Sequence, residues 1–226
     1  MGEVLLNCKA REVVERCGGL AQDMMKDLCG IDKIPEIKVQ GHLETTFPYM
    51  LNHLEYIIGE LLRNSIQAVG ERYKHIAGKP PPIEVLICEA PQHVIIRISD
   101  QGGGIPREIL PSLWSFSKGP RSKTRLENLG RVPAMAATMQ ELTVPKERRH
   151  ADRMTFRDNS LDSLSSRPPD LRLGMGLPVS RVYAEYWAGN LELHSLEGYG
   201  VDVFLQISKL GNQNEQVATR AAVDAV

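Results

Sequence analysis

The sequence predicts an α+β fold, a sandwich in which a mixed, mostly antiparallel sheet carries helices on one face. Three observations predict it. An amphipathic helical stretch runs from His53 to Val69. Two pairs of β-rich runs follow it, Ile83 to Cys88 with His93 to Ser99, then Leu191 to Ser195 with Val201 to Ile207. Glycine clusters stand where a strand ends, at 102–104, and where a helix opens, at 174 and 176.

In chain order, Ala10 to Leu28 reads as a helix with Val13, Val14, Cys17, Leu20, Met24 and Leu28 on one side, weakened by Gly18 and Gly19. Glu36 to Gln40 alternates as a short strand that Gly41 ends, and Phe47-Pro48 leads into the central helix. In that helix Leu54, Ile57, Ile58, Leu61, Leu62, Ile66 and Val69 recur at helical spacing and form one buried stripe. Asn52 and Glu55 have capping-box spacing, and Gly70 is the expected stop. The 83–99 pair reads as an antiparallel hairpin whose second strand runs into Asp100. Gly174 to Pro178 opens a helix that reaches Trp187 and ends at Gly189. The last two strands join through Glu197 to Gly200, and residues 211–226 read as a frayed tail.

Formal net charge is −1, which gives no global case for a nucleic-acid partner. Charge is uneven, however: Lys118 to Arg172 holds twelve Lys/Arg against seven Asp/Glu and has poor periodicity, the pattern of a lid or insertion. Cys8, Cys17, Cys29 and Cys88 form no CxxC pair and have no histidine cluster nearby, so they read as reduced thiols. No apolar run reaches the length of a membrane span. The first residues read neither as a secretory signal nor as an Arg-rich presequence.

Three spacings carry chemistry. Glu60 and Asn64, one turn apart off the apolar stripe, pair a proton acceptor with a carboxamide that can hold a divalent ion; Tyr56, Arg63 and Gln67 extend the polar strip. A solvated helix face is the competing reading. Asp100-x-Gly102-x-Gly104 places a carboxylate at a strand end beside glycines that allow close backbone approach, which fits an adenine amine, or else a plain turn. Gly174 to Leu177 precede a helix N-terminus, where free N–H groups and the dipole favour phosphate. The glycines follow no first βαβ strand and no GxxxxGK[ST] is present, which excludes Rossmann and Walker sites.

Taken in order, the three motifs resemble the GHKL ATP-binding superfamily. Within it, the stretches VQGHLETTFPYM, EYIIGELLRNSIQAV, IIRISDQGGGIP and GMGLPVSRVYAEYWAGNLELHSLEGYGVDVFL resemble the mitochondrial 2-oxoacid dehydrogenase kinases, over most of residues 38–110 and 173–207. The resemblance implies a GHKL (Bergerat) α/β sandwich over 35–210, with 118–172 as lid and 1–34 as a junction helix left from an N-terminal helical bundle. It implies ATP and Mg2+ as cofactors, with Glu60 as general base and Asn64 holding the metal. Asp100 would read the adenine amine over Gly102 and Gly104, and Gly174, Met175, Gly176 and Leu177 would frame the phosphates. The implied reaction is phosphorylation of serine on the E1α subunit of a 2-oxoacid dehydrogenase complex in the mitochondrial matrix. Docking on the lipoyl-bearing E2 core would use the bundle, and the chain would form a homodimer. Tyr56, the GH-x5-FP approach and the lack of a C-terminal Asp-Trp pair lean toward the branched-chain member over the pyruvate member.

Departures from the family pattern are Gln67 for an arginine, Val201 for a threonine that supports the adenine carboxylate, Arg172 for a glycine, and a longer lid. They leave two alternatives: a nucleotide-binding module without transfer activity, and a histidine-kinase-type catalytic domain.

Overall fold

The structure, a computed structural model, describes residues 4–29, 33–116, 123 and 174–211. Apart from residue 123, the basic segment 118–172 lies outside the described residues, as does the tail after 211. The elements are β1 (Val4–Lys9), α1 (Ala10–Cys29), β2 (Ile37–Gly41), β3 (Thr46–Met50), α2 (Leu51–Tyr73), β4 (Ile83–Glu89), β5 (His93–Asp100), a 3-10 turn (Leu110–Ser112), α3 (Gly176–Tyr186), β6 (Asn190–Leu196) and β7 (Gly200–Ser208). None of the described helices is long and apolar enough to cross a membrane.

Five strands form one sheet in the order β2-β4-β5-β7-β6. Only β2 and β4 run parallel; the other neighbours are antiparallel. This is the predicted mixed, mostly antiparallel α+β architecture. Alternation decides the layers. Val94, Ile96, Ile98 and Asp100 of β5 are buried, whereas the intervening side chains are half-buried. Val85 and Ile87 of β4 and Val203, Leu205 and Ile207 of β7 continue the inner face.

The helix α2 lies across that face with α1 and α3 packed on its flanks. Every residue of its predicted apolar stripe is at most 2% exposed. Burial of each such side chain stabilises by roughly 1.5–3 kcal/mol, so α2 is the core of the domain rather than a surface helix. It is longer than the sequence indicates: it begins at Leu51, passes through buried Gly70 and ends at Tyr73. The expected capping box does not form, because Met50 is the N-cap and makes no side-chain cap bond. Glu55 is instead fully buried and ion-paired with Arg16 of α1.

Three further differences have local causes. β1 and β3, for which the sequence reading gives no strand, pair antiparallel in a separate two-stranded sheet; Pro48 sits inside β3, where an edge strand tolerates its missing N–H. The buried side of α1 runs through Val13, Val14, Cys17, Ala21 and Met25, leaving Leu20 47% exposed. Gly18 allows that rotation, since a Cβ there would lie 2.8 Å from Cδ1 of Ile37. At the end of α3 the left-handed residue is Ala188 (φ 53°), not Gly189; Gly189 is needed because a Cβ would run into the carbonyl of Gln206. Cys8 and Cys17 are buried free thiols whose pKa burial pushes up to about 11.

Candidate nucleotide site

The two glycine rims meet the same helix. A Cβ on Gly176 would overlap the Glu60 carboxylate. A Cβ on Gly102 would sit 2.5 Å from the Cβ of Ala68. Glu60 and Ala68 are two turns apart, about 12 Å along the axis. Asn64 lies midway on the same strip and is exposed. Glu60, Asn64, Asp100, Gly102 and Gly176 are therefore brought together along one side of α2. The loop residue Gly104 continues the first rim; Gly174, Met175 and Leu177 continue the second.

The first rim is built on Asp100, which is 5% exposed at the end of β5. Its Oδ2 accepts the Ser65 hydroxyl at 2.9 Å, and its Oδ1 accepts the Gly102 N–H at 2.9 Å. Burial raises its pKa above the usual carboxylate value, offset in part by bonds from Gly102, Ser65 and the Val201 backbone, while the charge of Asp202 pushes it up further. Val201 is thus a backbone rather than a side-chain partner, and Ser65, which sequence reasoning passed over, supplies the hydroxyl. The loop then closes on the β6–β7 turn. Gly103 and Gly104 take φ of 99° and 75°. The Gly103 N–H donates to Tyr199 O at 3.1 Å, the Gly198 N–H donates to Gly103 O at 2.8 Å, and the Ile105 N–H donates to Ser195 Oγ at 2.7 Å.

The second rim is the start of α3. Gly174 has φ 68° and Met175 is the N-cap, with no side chain capping the helix. The first helical bond there is from Val179 N–H to Met175 O at 2.9 Å, so the N–H groups of Gly176 and Leu177 precede it and Pro178 has none. Leu177 is half-buried and packs against the core. Glu60, 1% exposed, faces this end of the helix: Oε2 accepts Arg63 Nη2 at 2.5 Å, and buried Oε1 has no hydrogen bond among the described residues.

The remaining predicted positions divide clearly. Gln67 bonds Glu71 of its own helix at 3.0 Å. Tyr56 packs edge-on against Tyr183, which His53 stacks flat at 4.1 Å; burial lowers the His53 pKa. His53 is a packing residue between α2 and α3, as its place at the helix start indicates. Trp187 is buried and donates to Pro48 O at 3.1 Å. Arg172 lies outside the described residues.

The donor set fits a nucleotide with its metal. Mg2+ is held by one or two protein oxygens and completes its shell with waters and phosphates. An exposed carboxamide between a glycine cradle and an uncapped helix start meets that requirement. Among the described residues no three His, Cys, Asp or Glu side chains gather into a metal cage.

A five-stranded sheet backed by a buried helix, with a carboxylate–glycine loop at one end and an uncapped glycine turn at the other, defines an ATPase domain. The chain belongs to the histidine kinase-, DNA gyrase B- and HSP90-like ATPase family, whose model matches residues 51–210. Within that class it is similar to the mitochondrial pyruvate dehydrogenase (acetyl-transferring) kinases. It is 29% identical to kinase 2 of Saccharomyces cerevisiae over 94% of this chain and 49% of the relative. It is 32% identical to the kinase of Arabidopsis thaliana over 80% of this chain and 41% of the relative. It is 26% identical to human isozyme 1 over 95% of this chain and 42% of the relative. The chain thus spans less than half the length of these relatives. The resemblance to the dehydrogenase kinases holds. The lean toward the branched-chain member is not supported, because these relatives are named for pyruvate dehydrogenase; Tyr56, one of the three features on which it rested, packs between helices.

Proposed function

We propose that this chain is the ATP-binding, phosphoryl-transferring part of a mitochondrial protein serine kinase acting on the E1α subunit of a 2-oxoacid dehydrogenase complex, with pyruvate dehydrogenase as the target. The observation that carries this reading is the single strip Glu60–Asn64–Ala68, contacted by one glycine rim at each end. Asp100 accepts the exocyclic amine of adenine above Gly102 and Gly104. The N–H groups of Gly176 and Leu177, with Gly174 and Met175 shaping the turn, receive the phosphates. Asn64 holds Mg2+, which neutralises charge building on the phosphate oxygens.

Glu60 takes the proton from the substrate serine hydroxyl as its oxygen bonds to the γ-phosphorus and the bond to the β-phosphate oxygen breaks. Phosphoryl transfer needs chiefly positioning and charge neutralisation, so one base, one metal and a ring of amides suffice. Residues 1–34 read as the junction to a helical bundle that docks on the lipoyl-bearing E2 core. Leu86, Ile95 and Phe204, half-buried on the face of the sheet opposite the core, suit a homodimer, and the site of action is the matrix.

The pairing of Glu60 with Arg63 favours a second reading, a nucleotide-binding module without transfer, in which Arg63 never releases the base. One experiment separates them. E1α is incubated with Mg·ATP and either wild-type chain or Glu60→Gln. The kinase reading expects E60Q to bind ATP as wild type does and to lose transfer by about 10²–10⁴-fold. No phosphoserine from the wild type, despite ATP binding, establishes the second reading.

A further inference from the structure

Arg72 occupies the last turn of α2, outside every motif described above. The residue is exposed, yet its guanidinium donates three hydrogen bonds to main chain. Nη1 donates to Gln101 O at 3.0 Å and to Tyr199 O at 2.6 Å, and Nη2 donates to Gly198 O at 2.9 Å. The three carbonyls belong to two separate loops. Gln101 opens the run 101–104 beside the adenine-facing carboxylate, and Gly198 and Tyr199 form the β6–β7 turn. The same two loops are bonded to each other through Gly103. A side chain on Gly103 would meet Arg72 Cδ and Nη1 at 3.7 Å, so the glycine backbone lies directly against the arginine.

We infer that Arg72 is a positioning residue for the purine: it locks the loop after Asp100 and the β6–β7 turn into one rim and anchors that rim to the helix carrying Glu60 and Asn64. Glycines at positive φ are otherwise free to move, and a loop that must be ordered by its ligand binds that ligand less tightly. A planar fork with five fixed donors can hold three carbonyls at once; an ammonium on a flexible stem cannot reproduce that geometry. Arg72 stands twelve residues along α2 from Glu60, where the second rim meets the helix, a separation of about 18 Å, so its effect falls on the base and not on the triphosphate. The inference rests on the ATP-site reading above.

The test uses the full chain as wild type, Arg72→Ala, Arg72→Lys and Asp100→Asn. Binding of Mg·ATP, Mg·GTP and magnesium tripolyphosphate is measured by calorimetry, with thermal midpoints recorded for each protein. Arg72→Ala is expected to weaken ATP by about tenfold, to narrow the preference of ATP over GTP, and to leave tripolyphosphate unchanged. Arg72→Lys should recover only a minor part of the loss. Equal ATP affinity in wild type and Arg72→Ala, or a parallel loss of ATP and tripolyphosphate, overturns the assignment of Arg72 while the nucleotide site stands. A wild type that binds no ATP, unaltered by Asp100→Asn, overturns the site and Arg72 with it.

Discussion

The Ser65 hydroxyl donates to Oδ2 of Asp100 over 2.9 Å, joining the buried side of the central helix to the end of a sheet strand. The two residues are 4% and 5% exposed, so solvent cannot replace either partner. With the N–H groups of Gly102 and Val201 donating as well, the carboxylate is fixed by three donors and keeps acceptor capacity for an incoming amine.

Ser65→Ala therefore leaves a buried carboxylate oxygen short of a donor, at a cost of about 1–3 kcal/mol. For a chain of this size that corresponds to a fall of roughly 2–12 °C in the thermal midpoint. ATP affinity should fall with it, because the carboxylate loses its fixed orientation. Calorimetric unfolding and an ATP titration check both effects. A wild-type midpoint and affinity would mean that Gly102 and Val201 hold Asp100 without the serine.

The raised pKa of Asp100 gives a pH dependence whose sign differs between folding and binding. In the folded chain the proton is held to higher pH than in the unfolded one. The stability this group contributes is present below the unfolded value, 3.8, and is lost as pH rises through the folded value. Nucleotide binding needs the ionised acceptor, so ATP affinity should decline on acidification before an ordinary aspartate would titrate. Asp100→Asn removes both effects: the free protein should melt no lower at neutral pH, while ATP no longer raises its midpoint. Titration between about pH 7.5 and pH 4.5 stays above the range in which an ordinary carboxylate takes up its proton, and an affinity flat across it would contradict this.

The Arg16–Glu55 pair ties α1 to α2, with Glu55 fully buried and Arg16 about half exposed. Arg16→Ala should destabilise the fold by about 2 kcal/mol, less than the roughly 3–5 kcal/mol of a wholly buried pair, since solvent reaches the arginine side. ATP affinity should be untouched, because both residues lie away from the two rims. Denaturant unfolding beside an ATP titration distinguishes this from a defect at the site.

The parts legible in the sequence were those that repeat. The stripe from Leu54 to Val69 and the alternation in β5 and β7 impose their period on every turn or pair, so the layers could be read directly. Glu60, Asn64, Asp100 and the flanking glycines stand out in the sequence by residue type and spacing, and the fold gathers them along one side of α2. β3 was missed because five residues with an internal proline present no period. Gly70 was misread as a stop because glycine marks a helix end and a tightly packed interior equally. Ser65 is a lone polar residue on an apolar face, and Arg72 works through backbone carbonyls, which have no sequence identity. Partners of that kind become visible only when the chain is folded.

One feature of the sheet governs how the chain is assembled. β5 and β7 lie side by side from His93 opposite Ser208 to Asp100 opposite Val201, although one belongs to the first hairpin and the other to the last. The seam between the hairpins is the longest-range joint in the sheet, the kind of contact that slows folding. Loop-closure entropy grows only logarithmically, by about 0.6 kcal/mol for each doubling of length, so the interval between the hairpins can lengthen greatly at little thermodynamic expense. Added length in that interval is therefore expected to slow refolding of the domain more than it lowers its stability.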